Sequence, residues 1–380
     1  MHPSKIIKGI KSKKLDGKKI ILGITGGIAC VECVKLAREL IRHGAEVVAV
    51  MTKEACRILN PIAMEFATGK RVISELTGEV EHTSYKADLM LIAPCTANTI
   101  AKIALGIADN VLTTFALAFT KKILIAPSMH LSMYENDFLK ENIERCKQKG
   151  IEFIEPKVEE NKAKMASIER IVEEVIRALN NDKKGKKILI IGGATHEKID
   201  DVRVITNLSS GRTAKALAKE AYERGADVEL WASFEGLEYI KNKKFESIKD
   251  LIKLIEECKE KYDVVINCAA ISDFLVEKRK GKISSEQPIE LKLKLAPRIN
   301  LMLKKLGRKI IAFKLEEKEE NVIKKAKELL EKESLDFVVG NTIESIGKEY
   351  TKIWIIGKEG LIKKVEGKKE EIAKHIIDLT

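Results

Sequence analysis

Two segments of this chain open in nearly the same way, Gly17-Lys-Lys-Ile-Ile-Leu-Gly-Ile-Thr-Gly-Gly27 and Gly185-Lys-Lys-Ile-Leu-Ile-Ile-Gly-Gly-Ala-Thr195. Each reads as a basic lead-in, an apolar run of strand length, and a Gly/Thr turn that opens onto a helical pattern. The echo continues at Arg42-His-Gly-Ala-Glu-Val47 and Glu223-Arg-Gly-Ala-Asp-Val228, where each helix stops and an apolar strand begins. Such a strand–loop–helix–strand opening puts free backbone N–H groups at a sheet edge, where phosphate-bearing ligands are held. The first echo (positions 17 and 185) is offset by 168 residues and the second (44 and 225) by 181. The 13 extra residues fall between Gly192 and Gly211. The second site therefore does different chemistry from the first.

A chain of 380 residues is long for one core, so two domains are expected. With 45% hydrophobic and 33% charged residues it has a soluble globular composition. Its longest apolar stretch, Leu89–Ala108, contains Pro94, Thr96, Asn98, Thr99 and Lys102, and reads as strand, turn and helix instead of a membrane span. The basic Met1–Asp16 lacks a secretory apolar core, which points to a cytoplasmic protein. Seven cysteines, an odd number scattered through apolar segments, form no disulfide framework. Cys30-x-x-Cys33 opens a helix, a position that can activate a thiol, but it lies on an apolar face where burial is the plainer reading. The net charge of +12 raises nucleic-acid binding. Lys and Glu are interleaved, however, as in Glu169–Arg177 and Glu316–Glu333, and aromatics make up only 5%, so no basic stripe or stacking platform exists. Neither nucleic acid nor membrane is expected as a partner.

Strands are expected at Lys19–Ile24, Glu46–Met51, Asp88–Ala93 and Lys122–Ala126, with helices at Ile28–Arg42, Thr96–Ile107, Phe138–Lys149 and Ile168–Leu179. The polar run Asn180–Lys186 marks a boundary. Beyond it, strands are expected at Lys187–Ile191, Asp227–Ala232, Asp263–Cys268, Lys309–Phe313 and Asp336–Gly340, with helices at Arg212–Arg224, Lys249–Tyr262 and Asn321–Glu333. An edge hairpin of Lys352–Gly357 and Leu361–Val365 follows. The expected organisation is a basic tail (1–17), a first domain (18–180), a linker (181–186) and a second domain (187–380). Both domains are α/β, each a doubly wound parallel sheet of Rossmann or flavodoxin-like type.

In the first domain Thr25-Gly-Gly-Ile-Ala29 follows a strand and opens a helix. It is not G-x-G-x-x-G, and the next strand ends in Thr52-Lys53 with no acid for a ribose, which favours a mononucleotide phosphate over a dinucleotide. Two further strand ends, Ala93-Pro-Cys-Thr-Ala-Asn98 and Ala126-Pro-Ser-Met-His-Leu-Ser-Met133, deliver polar loops to the same edge. His82, in Glu81-His-Thr-Ser84, is the acid–base candidate there.

With Gly23–Ala29, His82–Ser84, Ala93–Asn98 and Pro127–Met133 in place, the first domain resembles the flavin-dependent cysteine decarboxylases, the phosphopantothenoylcysteine decarboxylases most of all. The resemblance implies FMN held by Gly26, Gly27, Ile28, Ala29, Thr52, Pro94, Thr96, Ala97, Asn98 and Ser128, with His82 catalytic and His130 and Met133 on the substrate. It implies oxidation of a cysteine moiety to a thioaldehyde, loss of CO2, and return of the electrons to the enethiol. Two departures stand out. His130 replaces the family's Asn, and Pro156–Met165, where the family has a Gly-rich flap bearing a Cys, contains neither residue.

In the second domain Ser209-Ser-Gly-Arg-Thr213 starts a helix, offering hydroxyls, N–H groups and a cation to an anion. Asn267-Cys-Ala-Ala-Ile-Ser-Asp273 ends a strand, Glu277-Lys-Arg-Lys-Gly-Lys-Ile-Ser284 reads as a mobile basic loop, and Asn341 ends another strand. This half resembles the phosphopantothenate–cysteine ligases over nearly all of Gly185–Thr380. The resemblance implies that 4′-phosphopantothenate is activated by CTP with Mg2+ and then coupled to L-cysteine. Asn207 and Lys282 are implied as catalytic, and Ser209, Ser210, Gly211 and Arg212 as substrate-binding. Ala269, Ala270, Asp273, Lys282, Phe313, Lys327, Lys332 and Asn341 are implied on the nucleotide. Homo-oligomers are implied as well, through dimeric ligase domains and higher assembly of the flavin domain. The expected function is two consecutive steps of coenzyme A synthesis. The rival is an active ligase fused to a flavoprotein that does not decarboxylate.

Overall fold

Both glycine-tipped apolar runs are central strands of parallel sheets, because their side chains alternate into two separate cores. The computed structural model describes residues 1–284, 286 and 288–380 and divides into two units, Met1–Asn180 and Asn181–Thr380.

The first unit is built on β1 (Lys19–Ile24), β2 (Glu46–Met51), β3 (Leu89–Cys95), β4 (Lys122–Pro127) and β5 (Glu152–Phe153), all parallel in the order β2-β1-β3-β4-β5. Its principal helices are α1 (Cys33–Arg42), α2 (Ala97–Leu105), α3 (Val111–Ala118), α4 (Asp137–Gln148) and α5 (Ile168–Leu179). Ile20, Leu22 and Ile24 join Leu36 and Leu40 of α1 and Ile171 and Val175 of α5 in one core. Ile21 joins Leu112 and Phe115 of α3 in the other. Each such side chain, fully buried, contributes about 1.5–3 kcal/mol. The helix expected over 28–42 is broken. Ile28–Glu32 winds as a tighter 3-10 turn before α1 begins at Cys33, because Gly27 offers no side-chain cap to start a regular helix. Residues 1–17 do not hang free. Leu15 is fully buried, and Gly9, Lys11 and Leu15 donate backbone N–H groups to Ile41, Arg42 and His43 at the end of α1.

The second unit contains β6 (Lys187–Gly192), β7 (Asp227–Ala232), β8 (Lys241–Lys244), β9 (Tyr262–Asn267), β10 (Gly307–Glu316), β11 (Phe337–Thr342), β12 (Tyr350–Gly357) and β13 (Gly360–Lys368). They form one sheet in the order β8-β7-β6-β9-β10-β11-β12-β13, parallel up to β11 and antiparallel in the last two steps. The expected hairpin is that antiparallel edge. Helices α6 (Arg212–Glu223), α7 (Ile248–Glu257), α8 (Glu319–Glu333) and α9 (Lys369–Ile377) cover the sheet. Ile188 and Ile190 face one core, Leu189 and Ile191 the other. The helix expected over 249–262 ends at Glu257, since Tyr262 already belongs to β9. The extra loop is not plain coil. His196–Lys198 and Val204–Thr206 pair as a small antiparallel hairpin. Among the described residues, no helix is long and apolar enough to cross a membrane.

Candidate functional site

The first cleft opens where β1 and β3 end, and Thr25 ties the two ends together. Its hydroxyl donates to the Pro94 carbonyl at 2.8 Å and accepts from the Thr96 N–H at 3.1 Å. Gly26 lies so close to the neighbouring helix start that an added Cβ would sit 2.4 Å from Cβ of Glu54. At Gly27 the nearest atoms to an added Cβ are 3.7 Å away, on Thr96, so the turn keeps an open surface. Neither Gly27 nor Thr96 offers a side-chain cap to the helix it starts, so the first-turn N–H groups of the 3-10 turn and α2 face the site uncapped. The cleft has a volume of about 910 Å³, within the range of a cofactor site. Thr25, Gly26, Thr52, Thr96 and Asn98 line it, joined by Ser74, Thr99, Asn110 and Thr114 and by the charged Lys53, Glu54, Glu75, Lys102 and Asp109. Gly27, Ile28, Ala29, Pro94, Ala97 and Ser128 flank these residues without lining it. Ser128 is held beside it by donating its N–H to Cys95 at 3.1 Å. Thr52 spends its hydroxyl as the cap of the helix Lys53–Ile58, accepting from Ala55 at 3.2 Å.

His82 lies on the single-turn helix Glu81–Ser84, which packs on α3, the helix whose Val111 and Thr114 line this cleft. Its Nδ1 is buried and without a hydrogen-bond partner. An unmet buried polar atom costs about 1–3 kcal/mol, a cost that proteins accept at sites of chemistry. His82 is not among the cleft-lining residues.

His130 caps the turn Leu131–Tyr134, its Nδ1 accepting from the Ser132 N–H at 3.4 Å and pairing with Ser132 Oγ at 2.9 Å. An Asn at that place would make the same cap with its side-chain oxygen, so the departure preserves local structure. Met133 is exposed. The segment expected to hold the flap is a hairpin of Lys157–Glu159 and Lys162–Lys164, whose inner strand pairs with Met129 and His130. Burial pushes the thiols of Cys30 and Cys33 up, and Cys33 donates to the Ala93 carbonyl at 3.2 Å. Both are packed, protonated thiols, which favours burial over a redox role.

The second cleft lies at the same edge of the second sheet and is smaller, about 150 Å³. Ser209, Ser210, Gly211 and Arg212, expected on the substrate, and Ala269, Ala270, Phe313 and Asn341, expected on the nucleotide, line it together. Gly211 has φ +68°, and an added Cβ would lie 2.3 Å from the Phe234 ring, so only glycine can begin α6 here. Asn207 adjoins the cleft, its Nδ2 donating to the carbonyls of Ala270 (3.3 Å) and Ile271 (3.1 Å). Asp273 is exposed beyond it, its carbonyl accepting from Ala296 at 2.9 Å.

The basic loop expected to be mobile is latched. Asp201 accepts from the Gly281 N–H at 2.9 Å and pairs with Lys278 at 2.5 Å. Asp200 accepts from the Ile283 N–H at 3.1 Å and from Arg203 at 2.6 Å. The two aspartates thus grip the backbone on both sides of the exposed Lys282. Burial works to raise the Asp200 carboxyl, but the N–H groups of Val202, Arg203 and Ile283 and the Arg203 guanidinium hold it far below the ordinary range. Neither aspartate was singled out from the sequence, where Ile-Asp-Asp-Val looks like any turn.

Lys327 and Lys332 are not brought to the cleft. α8 begins at the ligand edge after β10 and runs away from it, which puts the two residues about 12 and 20 Å along its axis from its start. Lys369, which the sequence did not flag, does line the cleft. Among the described residues, no group of three or more His, Cys, Asp or Glu could hold a metal ion.

Residues 8–180 match the Flavoprotein family, and residues 183–380 match the C-terminal domain family of DNA/pantothenate metabolism flavoproteins. The chain is 46% identical to the coenzyme A biosynthesis bifunctional protein CoaBC of Thermococcus kodakarensis, covering 100% of this chain and 98% of that protein. It is 43% identical to the protein of the same name from Methanocaldococcus jannaschii, covering 100% and 97%. Against the Bacillus subtilis protein the identity is 31%, covering 88% of each.

Proposed function

The chain belongs to the family of bifunctional CoaBC proteins of coenzyme A biosynthesis, and from that premise we propose how its two clefts divide the work. It is a bifunctional enzyme with a flavoprotein decarboxylase half and a ligase half. The ligase half activates the carboxylate of 4′-phosphopantothenate with CTP. The carboxylate oxygen bonds to the α-phosphorus, pyrophosphate leaves, and the cysteine amine then displaces the nucleotide monophosphate from the acyl carbon. Asn207 supplies a side-chain N–H at the reacting carboxyl, the Lys282 ammonium faces the triphosphate, and Mg2+ accompanies the phosphates. Asp273 and Phe313 border the nucleotide.

The first cleft fits FMN on its own terms: an open Gly27 surface, two uncapped helix starts and a wall of Thr, Ser and Asn hydroxyls and amides. When bound, the flavin supplies the two-electron sink that decarboxylation of a cysteine requires. The Thr25–Ala29 turn and Thr96–Asn98 hold its phosphate and ribityl chain, and His82 handles a proton through its unpartnered Nδ1. His130 and Met133 meet the substrate. The enzyme works in the cytoplasm as a homo-oligomer.

The observation that carries this reading is the coexistence of two strand-end clefts of different character, one lined by hydroxyls and amides together with both acids and lysines, the other by Arg212 and Lys369 with no acid among the described residues of its lining and with Asn207 beside it. The test supplies purified protein with 4′-phosphopantothenate, cysteine, CTP and Mg2+ and follows products by mass. Conversion to 4′-phosphopantetheine is expected. Accumulation of 4′-phospho-N-pantothenoylcysteine would leave the first unit as a flavoprotein without decarboxylase activity.

A further inference from the structure

Glu333 closes α8 with a carboxylate where a helix least favours one, at the negative end of its dipole, and it is only 4% exposed. Removing a carboxylate from water is costly, so its burial here does not by itself add stability. Its two oxygens are met by different donors: Oε1 accepts from Arg298 at 2.8 Å and Oε2 from the Nδ2 of Asn300 at 2.8 Å. Asn300, on the short helix Ile299–Leu303, accepts with its Oδ1 from the Nδ2 of Asn267 at 2.7 Å. Asn267, the last residue of β9, is 6% exposed and turns its own Oδ1 to the Ala269 N–H at 3.3 Å.

The carboxylate gives this chain of bonds a direction. An ionised carboxyl only accepts, whereas an amide both donates and accepts and can turn end for end. Asn300 must give its NH2 to Glu333, which leaves its oxygen toward Asn267. Asn267 must then give its NH2 to Asn300, which leaves its oxygen toward Ala269. The turn so reached carries part of the second cleft. The N–H groups of Cys268, Ala270 and Ser272 go to Ile191, Gly193 and Thr195, on and after β6, at 2.9, 2.7 and 3.0 Å. The Ala269 N–H goes to Asn267 instead. Ala269 and Ala270 line the cleft, and the carbonyls of Ala270 and Ile271 hold Asn207. None of Asn267, Asn300 and Glu333 lines it.

We infer that Glu333, Asn300 and Asn267 are positioning residues for ligation, a polarity relay that fixes the Asn267–Ile271 turn and with it the Asn207 amide at the reacting carboxyl. Arg298 stands outside the relay, because it bonds the other carboxylate oxygen and balances the charge of Glu333 without setting the direction of either amide. Such a relay explains why a carboxylate is kept where burial and the helix dipole both disfavour it. Its consequence for the reaction rests on the ligase reading of this unit; the order of its bonds does not.

The experiment uses the full-length protein and three variants, read by ligation kinetics, thermal unfolding and hydrogen exchange of peptides spanning Asn267–Asp273. Asn300→Ala cuts the relay and is expected to lower kcat of ligation by about ten- to a hundredfold, the worth of a charge-assisted hydrogen bond, and to speed exchange in the turn. KM for 4′-phosphopantothenate stays within about twofold, since the turn does not hold that substrate. Glu333→Gln keeps the shape but can donate as well as accept, so the direction is no longer imposed and kcat falls about three- to tenfold, the worth of a neutral bond. Arg298→Met takes the other donor from Glu333 and controls for stability alone: Tm falls, while kcat and exchange in the turn stay within about twofold of the wild type. A kcat that fell in step with Tm across all three variants would make the network structural and overturn the proposal. Unaltered exchange in the turn of Asn300→Ala would overturn it too; if that variant does not fold, Glu333→Gln decides by the same measures. Should the wild type not ligate, the ligase reading fails, while exchange in the turn still decides whether the relay holds it, so the two failures are distinguishable.

Discussion

The two helix-opening turns of this molecule begin alike and are finished by different means. Thr25 closes the first turn onto its own sheet, bonding to both Pro94 and Thr96, and the cleft surface mixes hydroxyls and amides with Lys53, Glu54, Glu75, Lys102 and Asp109. Lys102, one of two lysines lining that cleft, is paired to Asp109 at 2.6 Å. The second turn is held open by an inserted hairpin that brings Asn207 to the carbonyls of Ala270 and Ile271, and its cations lack acids. A hydroxyl-rich cradle whose lysines are accompanied by acids suits a resident cofactor that should bind and stay. An uncompensated cationic cleft with an amide at its mouth suits anions that arrive, react and leave.

The sharpest way to break this contrast is to disable each cleft separately. His82→Asn should lower decarboxylation by about 10²- to 10⁴-fold, the usual worth of a proton-transferring side chain, with the flavin still bound. Asn207→Asp turns a donor into an acceptor that faces two carbonyls, and should slow ligation by about 10²- to 10³-fold. Mass analysis should then show a double dissociation. The His82 variant accumulates 4′-phospho-N-pantothenoylcysteine, while the Asn207 variant makes none but still decarboxylates it when supplied. If either variant impaired both steps equally, the clefts would not be independent sites.

Much of this was legible in the sequence because it was written locally. The Gly/Thr turns, the alternating strands and the Ser-Ser-Gly helix start each fit within about ten residues, the range over which backbone conformation and side-chain periodicity act. What was not legible depends on long-range placement. Lys369 lies in Gly367-Lys-Lys-Glu-Glu371, indistinguishable by composition from a solvated charge run, and only the fold sets it beside Arg212. Asp200 and Asp201 become a latch only when the strands Phe274–Val276 and His196–Lys198 bring their loops together. Lys327 and Lys332 went astray for the same reason, since a motif fixes residue types but not which way a helix runs from the sheet edge.

A second contrast concerns what holds each unit at acid pH. On β7, Glu229 is 4% exposed and accepts from the Trp231 indole at 2.9 Å and the Tyr262 hydroxyl at 2.7 Å, with Lys241 and Lys243 paired to it. Burial works to raise its carboxyl, but those four donors pull it down to about 2. A depressed acid contributes stability that is fully present above its unfolded pKa, near 4.3, and is lost as pH falls toward 2. Glu229→Gln should therefore cost the second unit on the order of 3 kcal/mol at pH 7. The gap to the wild type should narrow at pH 3. Denaturant unfolding followed by tryptophan fluorescence reads this unit alone, since both tryptophans lie in it. A gap that did not change with pH would mean that Glu229 is held by packing instead of charge.

The latch beside the second cleft is a smaller effect with a narrower readout. Asp200→Asn keeps one acceptor but turns an amide toward N–H groups, so the backbone at Ile283 is released and Lys282 loses its fixed place. KM for the nucleotide should rise about tenfold, the worth of one charge-assisted hydrogen bond, with decarboxylation of supplied substrate unchanged. The Asp200 carboxyl is held far below its ordinary value, so the effect should be constant from pH 6 to 9. A wild type whose nucleotide KM climbed between those values would place the latch elsewhere.

The smallest effect lies in the first unit, in the hairpin that stands where relatives of the decarboxylase type carry a glycine-rich flap. Its turn residues Glu160 and Asn161 have φ +52° and +57°, a left-handed pair suited to a two-residue hairpin and usually supplied by Asn-Gly. Asn161 tolerates that conformation; Glu160 is strained in it. The flanking strand pairs with Met129 and His130, and Leu131 donates to the Asn161 carbonyl at 3.0 Å, so the strain sits on the segment that also positions His130. Glu160→Gly relieves the left-handed strain, offset in part by the greater freedom of glycine in the unfolded chain, and should stabilise the first unit by about 0.5–1 kcal/mol. The Glu160–Lys164 ion pair that it removes, at 2.7 Å on exposed side chains, offsets little of that gain. If the stabilised variant decarboxylates more slowly at unchanged flavin content, the strained turn is a working part of the first cleft. An equal rate would make the hairpin a fixed wall, leaving movement during turnover to the second cleft alone.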